Sequence, residues 1–123
     1  DSLLLIANFF KEDQLKQLID RTRSFGMEPV VEIHSLEDYE IAKRAGATVY
    51  AINNRDKDTM EIDLERSKTF SKHIGGITIS SSGISTLDDL SFVLRYCDAA
   101  LIGTSIMSSD DIEGKVRGFV YGK

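Results

Sequence analysis

Five short apolar runs, each followed by a stretch of helical periodicity, leave this chain few ways to fold. The runs are Leu3-Leu4-Leu5-Ile6, Val30-Val31-Glu32-Ile33, Thr48-Val49-Tyr50-Ala51-Ile52, Ile77-Thr78-Ile79 and Ala99-Ala100-Leu101-Ile102. They are near-continuous rather than alternating, which is the pattern of strands buried on both faces. The first helical segment sets Leu15, Leu18, Ile19, Thr22 and Phe25 on one face and ends at Gly26. The second opens with Ser35 and Asp38, a variant of the capping box, carries Leu36, Tyr39, Ala42 and Ala45, and stops at Gly46. A third starts near Asp63, turns Leu64, Phe70 and Ile74 inward, and ends at Gly75-Gly76. The fourth is capped by Ser85 or Thr86 and buries Leu87, Leu90, Val93, Leu94 and Cys97. The fifth follows Ser109, with Asp110, Asp111 and Glu113 suited to a helix N-terminus and Ile112, Val116 and Phe119 inward.

Strict alternation of strand and helix means parallel strands joined by right-handed crossovers, an α/β chain. Two architectures satisfy it: five consecutive βα units of a (βα)8 TIM barrel, or an open five-stranded flavodoxin-like sheet. At 123 residues the chain is expected to form a single domain over residues 1–123. It opens at Asp1 directly before an apolar run, which suggests that sequence upstream is missing.

Charge narrows the partners. With 15 Lys and Arg against 20 Asp and Glu, the chain lacks the basic footprint that phosphate-backbone binding requires, so no nucleic acid is expected. No apolar run approaches the roughly 20 residues of a bilayer span, so no membrane partner is expected either. The single Cys97 forms neither an internal disulfide nor a metal site, which fits a reducing cytoplasm. The absence of GxGxxG, GxxxxGK[ST], CxxC and HExxH removes dinucleotide, P-loop and zinc-protease readings. A response-regulator sheet needs acidic residues where this chain has Asn8 and Asn53.

Parallel α/β proteins collect ligands beyond the C-terminal ends of their strands. Ser82-Gly83 after the fourth run and Gly103-Thr104-Ser105 after the fifth are two small turns whose N–H groups can converge on one anion. Ordinary turn chemistry is the competing reading. Glu32 is the one charged residue within its apolar run, and a carboxylate there is either a general base or substrate ligand, or half of an ion pair, with Arg55 the candidate partner. Asn53-Asn54-Arg55-Asp56 is dense in hydrogen-bonding groups; its guanidinium suits a carboxylate or phosphate, and a polar loop with an Asx turn is the alternative. His34 and Cys97 read as a loop-end histidine and a core thiol.

Taken in order, Val30-Val31-Glu32-Ile33-His34, Ile52-Asn53-Asn54-Arg55-Asp56, Ser82-Gly83-Ile84 and Leu101-Ile102-Gly103-Thr104-Ser105-Ile106-Met107 resemble indole-3-glycerol phosphate synthase. The Ile-Asn-Asn-Arg-Asp segment is the most specific of these. The resemblance runs over essentially the whole chain, and over only the later part of the family's barrel, from its fourth strand to its eighth. It implies a lyase of tryptophan biosynthesis: decarboxylative ring closure of 1-(2-carboxyphenylamino)-1-deoxyribulose 5-phosphate to indole-3-glycerol phosphate, with no metal or organic cofactor. It implies Glu32 as proton acceptor or stabiliser of the developing iminium charge, and Asn53 as the residue that positions the substrate. Arg55 and Ser81 fall among the substrate contacts, and Ser82, Gly83, Gly103 and Thr104 at the substrate phosphate.

Two departures bear on activity. The family usually reads Glu-Ser-Gly-Ile after its seventh strand, and this chain has Ser81-Ser82-Gly83-Ile84. The family's catalytic lysines and a further Glu belong to its first and third strands, which these residues do not supply, so the dehydration lacks a proton donor and the isolated chain is expected to be inactive. A reading of a different class is a non-catalytic partial barrel. Its first and last strands would be unpaired edges, which invite a homodimer. Another phosphate-binding barrel is the third alternative, although such proteins do not ordinarily carry the Ile-Asn-Asn-Arg-Asp run.

Overall fold

The computed structural model describes residues 1–122, and its strand order decides between the two architectures. Five parallel strands, β1 (Ser2–Ile6), β2 (Glu28–Ile33), β3 (Val49–Asn53), β4 (Ile77–Ser81) and β5 (Ala99–Leu101), lie side by side in the order β1-β2-β3-β4-β5. A flavodoxin-like sheet reverses direction part-way, which sends its helices to both faces. Here the order never reverses, so right-handed crossovers place the helices that join successive strands on the same face, as on the wall of a barrel.

Register makes the two faces explicit. Val31 pairs with Tyr50, Ile33 with Ile52, Tyr50 with Thr78 and Ile52 with Ser80. These residues face the helices, and Leu5, Val31, Ile33, Tyr50 and Ile52 join Leu15, Ile19, Tyr39 and Ala42 in one core. The opposite face carries Ile6, Glu32, Ala51, Asn53, Ser81 and Leu101, through the pairs Ile6–Glu32, Glu32–Ala51, Asn53–Ser81 and Ser81–Leu101. Ala51 at its centre is buried, whereas Leu4 and Leu101 on the outer strands are about half exposed, at 46% and 56%. Tyr50 sits deep in the core with its hydroxyl donating to the Ala47 carbonyl, and burial pushes its phenol up to about 12.

The helices are α1 (Glu12–Ser24), α2 (Leu36–Arg44), α3 (Glu65–Ser71), α4 (Leu87–Val93), α5 (Thr104–Met107) and α6 (Ile112–Tyr121), with a 3-10 turn at Ala7–Phe9. Gly26 and Gly46 terminate α1 and α2 at positive φ, the conformation glycine adopts without a Cβ penalty. Ser35 caps α2 by accepting from Asp38 N–H, but the Asp38 carboxylate accepts in return from His34 N–H rather than from Ser35 N–H. Thr86, not Ser85, is the N-cap of α4.

Several apolar positions expected inward are not. Phe25, Leu87, Leu94, Ile112 and Val116 are 67%, 38%, 46%, 46% and 39% exposed. Phe25 is already past the last turn of α1, at the C-cap. Leu87, Ile112 and Val116 lie on α4 and α6 and Leu94 at the C-cap of α4, towards the edge of the sheet that ends in the short strand β5, where few neighbours remain to cover them. The four-residue α5 directly after β5 has no counterpart in the periodicity, being too short to generate one.

Candidate functional site

The C-terminal strand ends open into two clefts that share one wall. The first, about 330 Å³, is lined by Glu32, Ser81, Ser82, Gly83, Ile84, Leu101, Gly103 and Thr104. The second, about 300 Å³, is lined by Ile6, Asn8, Phe9, Glu32, His34, Asn53, Arg55, Asp56, Lys57 and Met60. Glu32 belongs to both. The eight residues singled out in the sequence therefore gather at one end of the sheet, with Ser81, Ser82, Gly83, Gly103 and Thr104 on one side of Glu32 and Asn53 and Arg55 on the other.

The first cleft has no Lys or Arg in its lining, so an anion held there finds its donors among N–H groups and hydroxyls, with the Glu32 carboxylate on the opposite part of the wall. Its shape depends on an unusual backbone. Ser82 and Gly83 both have positive φ, 71° and 81°, and for a non-glycine residue this region costs about 1–2 kcal/mol. Side chains from outside the cleft hold it. Asn54 Nδ2 donates to the Ser82 carbonyl at 3.1 Å and to Ser80 Oγ at 2.9 Å, while Ser67 Oγ donates to Asn54 Oδ1 at 2.7 Å. Asn54, Ser67 and Ser80 are fully buried, so this polar network is satisfied within the protein. Ser105 Oγ donates to the Ile84 carbonyl at 3.0 Å and fastens the turn after β5 to the turn after β4. Ser81 is buried, and its hydroxyl donates to the Ile52 carbonyl at 3.2 Å.

The pleat explains why two adjacent asparagines differ. Successive side chains point to opposite faces of a strand, so Asn53 faces the second cleft and Asn54 faces the helices. Asn53 Oδ1 accepts from Arg55 N–H at 2.9 Å, an Asx turn that starts the loop. In that loop Asp56 accepts from Asp58 and Thr59 N–H groups, and these bonds, Thr59 first, hold its carboxyl below the usual range. Ile62 pairs back with Arg55 and rests against Gly83, where a Cβ would overlap Ile62 Cγ2 and come within 3.5 Å of Leu64.

Arg55 does not pair with Glu32. Its Nη1 donates to the Met60 carbonyl at 3.0 Å, because the turn between Asp56 and Met60 folds back over it. The partner of Glu32 is His34, with Nε2 3.1 Å from Oε2, so a side chain read as an ordinary loop-end histidine stands at the site. His34 lies one residue past the end of β2, and strand alternation carried one step further sets it on the Glu32 face. Lys57 and Arg66 were also missed. Lys57 lines the second cleft, and Arg66 ties the ends of β2 and β3 together by donating to the His34 and Asn53 carbonyls. Cys97 is a buried thiol pushed up by burial, in keeping with a core position. Among the described residues no three His, Cys, Asp or Glu side chains gather as a metal site, and no helix is long and apolar enough to cross a membrane.

A family model described as indole-3-glycerol phosphate synthase matches residues 1–119. The chain is 42% identical over 122 residues to the indole-3-glycerol phosphate synthase of Methanocaldococcus jannaschii, covering 98% of this chain and 46% of that one. It is 39% identical over 127 residues to the enzyme of that name from Pyrococcus abyssi, covering 99% of this chain and 55% of that one. It thus spans about half the length of the curated relatives it matches. Among solved structures, 3-hexulose-6-phosphate synthase from Salmonella typhimurium superposes with a TM-score of 0.82 at 16% identity, over 98% of this chain and 60% of that one. The Streptococcus mutans protein KGPDC gives 0.74 at 15% identity, over 98% of this chain and 59% of that one. At these identities the structural likeness speaks for the fold alone.

Proposed function

This chain belongs to the indole-3-glycerol phosphate synthase family, and we propose that it supplies the phosphate end and one carboxylate of that family's site. A tryptophan biosynthesis protein of Archaeoglobus fulgidus is 42% identical over 119 residues, covering 94% of this chain and 21% of that one, which accords with the pathway. The observation that carries the reading is the first cleft, where two turns and Glu32 meet in about 330 Å³. The substrate phosphate lies between the Ser82-Gly83 and Gly103-Thr104 turns, held by backbone N–H groups and by the Ser82 and Thr104 hydroxyls. The rest of the substrate crosses Glu32 into the second cleft, beside Asn53 and Arg55.

In that pose Glu32 lies under the reacting centre, as proton acceptor or as the fixed negative charge that favours an iminium. Ring closure and loss of water also require a proton donor. The family resemblance implies that the catalytic lysines belong to strands these 123 residues do not supply, so the chain by itself is expected to bind and not to turn over. Ser81 stands where the family carries a carboxylate and donates to the Ile52 carbonyl, so it lines the substrate site and contributes no charge.

Binding is measurable cleanly because the chain contains no Trp, which makes indole-3-glycerol phosphate the sole indole fluorophore. The expected result is saturable single-site binding that Gly103→Asp weakens at least about tenfold, or about 1.4 kcal/mol. A Cβ at Gly103 meets nothing within 4 Å, and the position is the N-cap of α5, where Asp is well tolerated, so the variant keeps the fold while placing a negative charge in the cleft. Equal binding by both proteins overturns the reading. Turnover of 1-(2-carboxyphenylamino)-1-deoxyribulose 5-phosphate by the chain alone, read by the same fluorescence, overturns the claim of inactivity. The outer strands β1 and β5 each have one unpaired edge, and self-association through them is the accompanying proposal. Light scattering that reports a monomer at all concentrations contradicts it.

A further inference from the structure

We propose that His34 is a positioning residue for Glu32, a role that rests on the reading of Glu32 as the carboxylate facing the substrate. His34 directly follows β2 and its side chain turns to the face that carries Glu32; the two are 10% and 14% exposed, with His34 Nε2 3.1 Å from Glu32 Oε2. One carboxylate oxygen is thereby fixed. Among the described residues no hydrogen bond reaches the other, which remains the free acceptor of a group that lines both clefts.

The ring's own environment selects its tautomer. With Nε2 against a carboxylate oxygen, the neutral imidazole carries its proton on Nε2, since the other tautomer would set two acceptors against each other. His34 Nδ1 is buried with no hydrogen-bond partner, so a proton there would be buried unpaired. The imidazole therefore has a single polar contact, and that contact is Glu32.

His34 is also held from behind. Its N–H donates to Asp38 Oδ2 at 2.9 Å from α2, and its carbonyl accepts from the Arg66 guanidinium of α3. Arg66 donates as well to the Asn53 carbonyl at 3.1 Å, so one guanidinium sets the ends of the two strands that carry Glu32 and Asn53. The rigidity of two helices thus reaches the carboxylate through one ring, as precise placement of a reacting group requires.

The test is NMR on this chain, labelled with ¹⁵N at histidine and ¹³C at glutamate. Long-range ¹H–¹⁵N correlations are expected to report the Nε2–H tautomer for His34 in the wild type, and a mixture of tautomers in Glu32→Ala, with exposed His73 as the internal reference. Indole-3-glycerol phosphate is then added to wild type, His34→Gln and His34→Asn. Glutamine places its amide nitrogen where Nε2 lies, whereas asparagine reaches only the Nδ1 position. The Glu32 Cδ resonance is expected to move on ligand addition in wild type and His34→Gln, and to lose most of that movement in His34→Asn. An Nδ1–H ring in the wild type, or equal responses of the two variants in a chain whose Glu32 does respond, overturns the proposal. A Glu32 Cδ that ignores the ligand in wild type, while the ring tautomer still depends on Glu32, supports the positioning contact and instead removes Glu32 from the substrate site. The tautomer measurement needs no His34 variant to fold.

Discussion

Gly83→Ala is expected to destabilise the chain by about 3 kcal/mol, the sum of a left-handed L-residue and an overpacked contact. Two independent features of the position produce that cost. Its φ of 81° lies where an L side chain crowds its own carbonyl, and a Cβ there would overlap Ile62 Cγ2. Ile62 has little freedom to yield, being β-branched and paired across the loop with Arg55. The loss is read as a drop in the urea midpoint at unchanged slope. Gly103→Ala is the matched control, because its Cβ meets nothing within 4 Å, and it is expected to change stability by less than about 0.5 kcal/mol. Equal stabilities for the two variants would mean that the β3 to α3 loop does not press on the turn after β4.

The second large effect separates two neighbours in the sequence. Asn54→Ala is expected to cost about 2–4 kcal/mol, because it removes a fully buried amide and strands the Ser82 carbonyl and part of the Ser67–Ser80 pair. Asn53→Ala removes a partly buried side chain whose bond is to Arg55 N–H, and is expected to cost less than about 1 kcal/mol while weakening ligand binding. Asn54→Ala is also expected to free Ser82 from its positive φ, visible as a change in its Cα and Cβ chemical shifts. If the two alanine variants are equally stable, the buried network is not what holds the turn.

The contrast between these asparagines also marks how far the sequence could be read. Strand alternation with helices, and the small turns after β4 and β5, were legible because apolar runs, glycines and caps carry local signals. So was Glu32, since a charge inside a buried run stands out. The strand order was not legible, because periodicity says which segments are strands and nothing about their neighbours; only the sequential pairing separates a barrel wall from an open sheet. Nor was the role of Asn54, whose partners Ser67 and Ser80 lie 13 and 26 residues away and look like any serine on a helix or strand. The Glu32–Arg55 pairing failed for a related reason: the fold of the loop carries Arg55 to the Met60 carbonyl, and a nearer group, His34, meets the carboxylate. Exposure of Leu87, Leu94, Ile112 and Val116 depends on what stands beside an edge strand, which no helical period encodes.

On the proposed reading, the turns after β4 and β5 form one phosphate site on a wall of five strands. The most direct measurement is a titration of the ¹⁵N-labelled chain with inorganic phosphate. The amides of Ser82, Gly83, Gly103 and Thr104 are expected to shift together with one dissociation constant, while those of Asn8 and Lys57, lining the second cleft, stay in place. No shift at the four amides, or shifts scattered over the basic side chains of the surface, would contradict it.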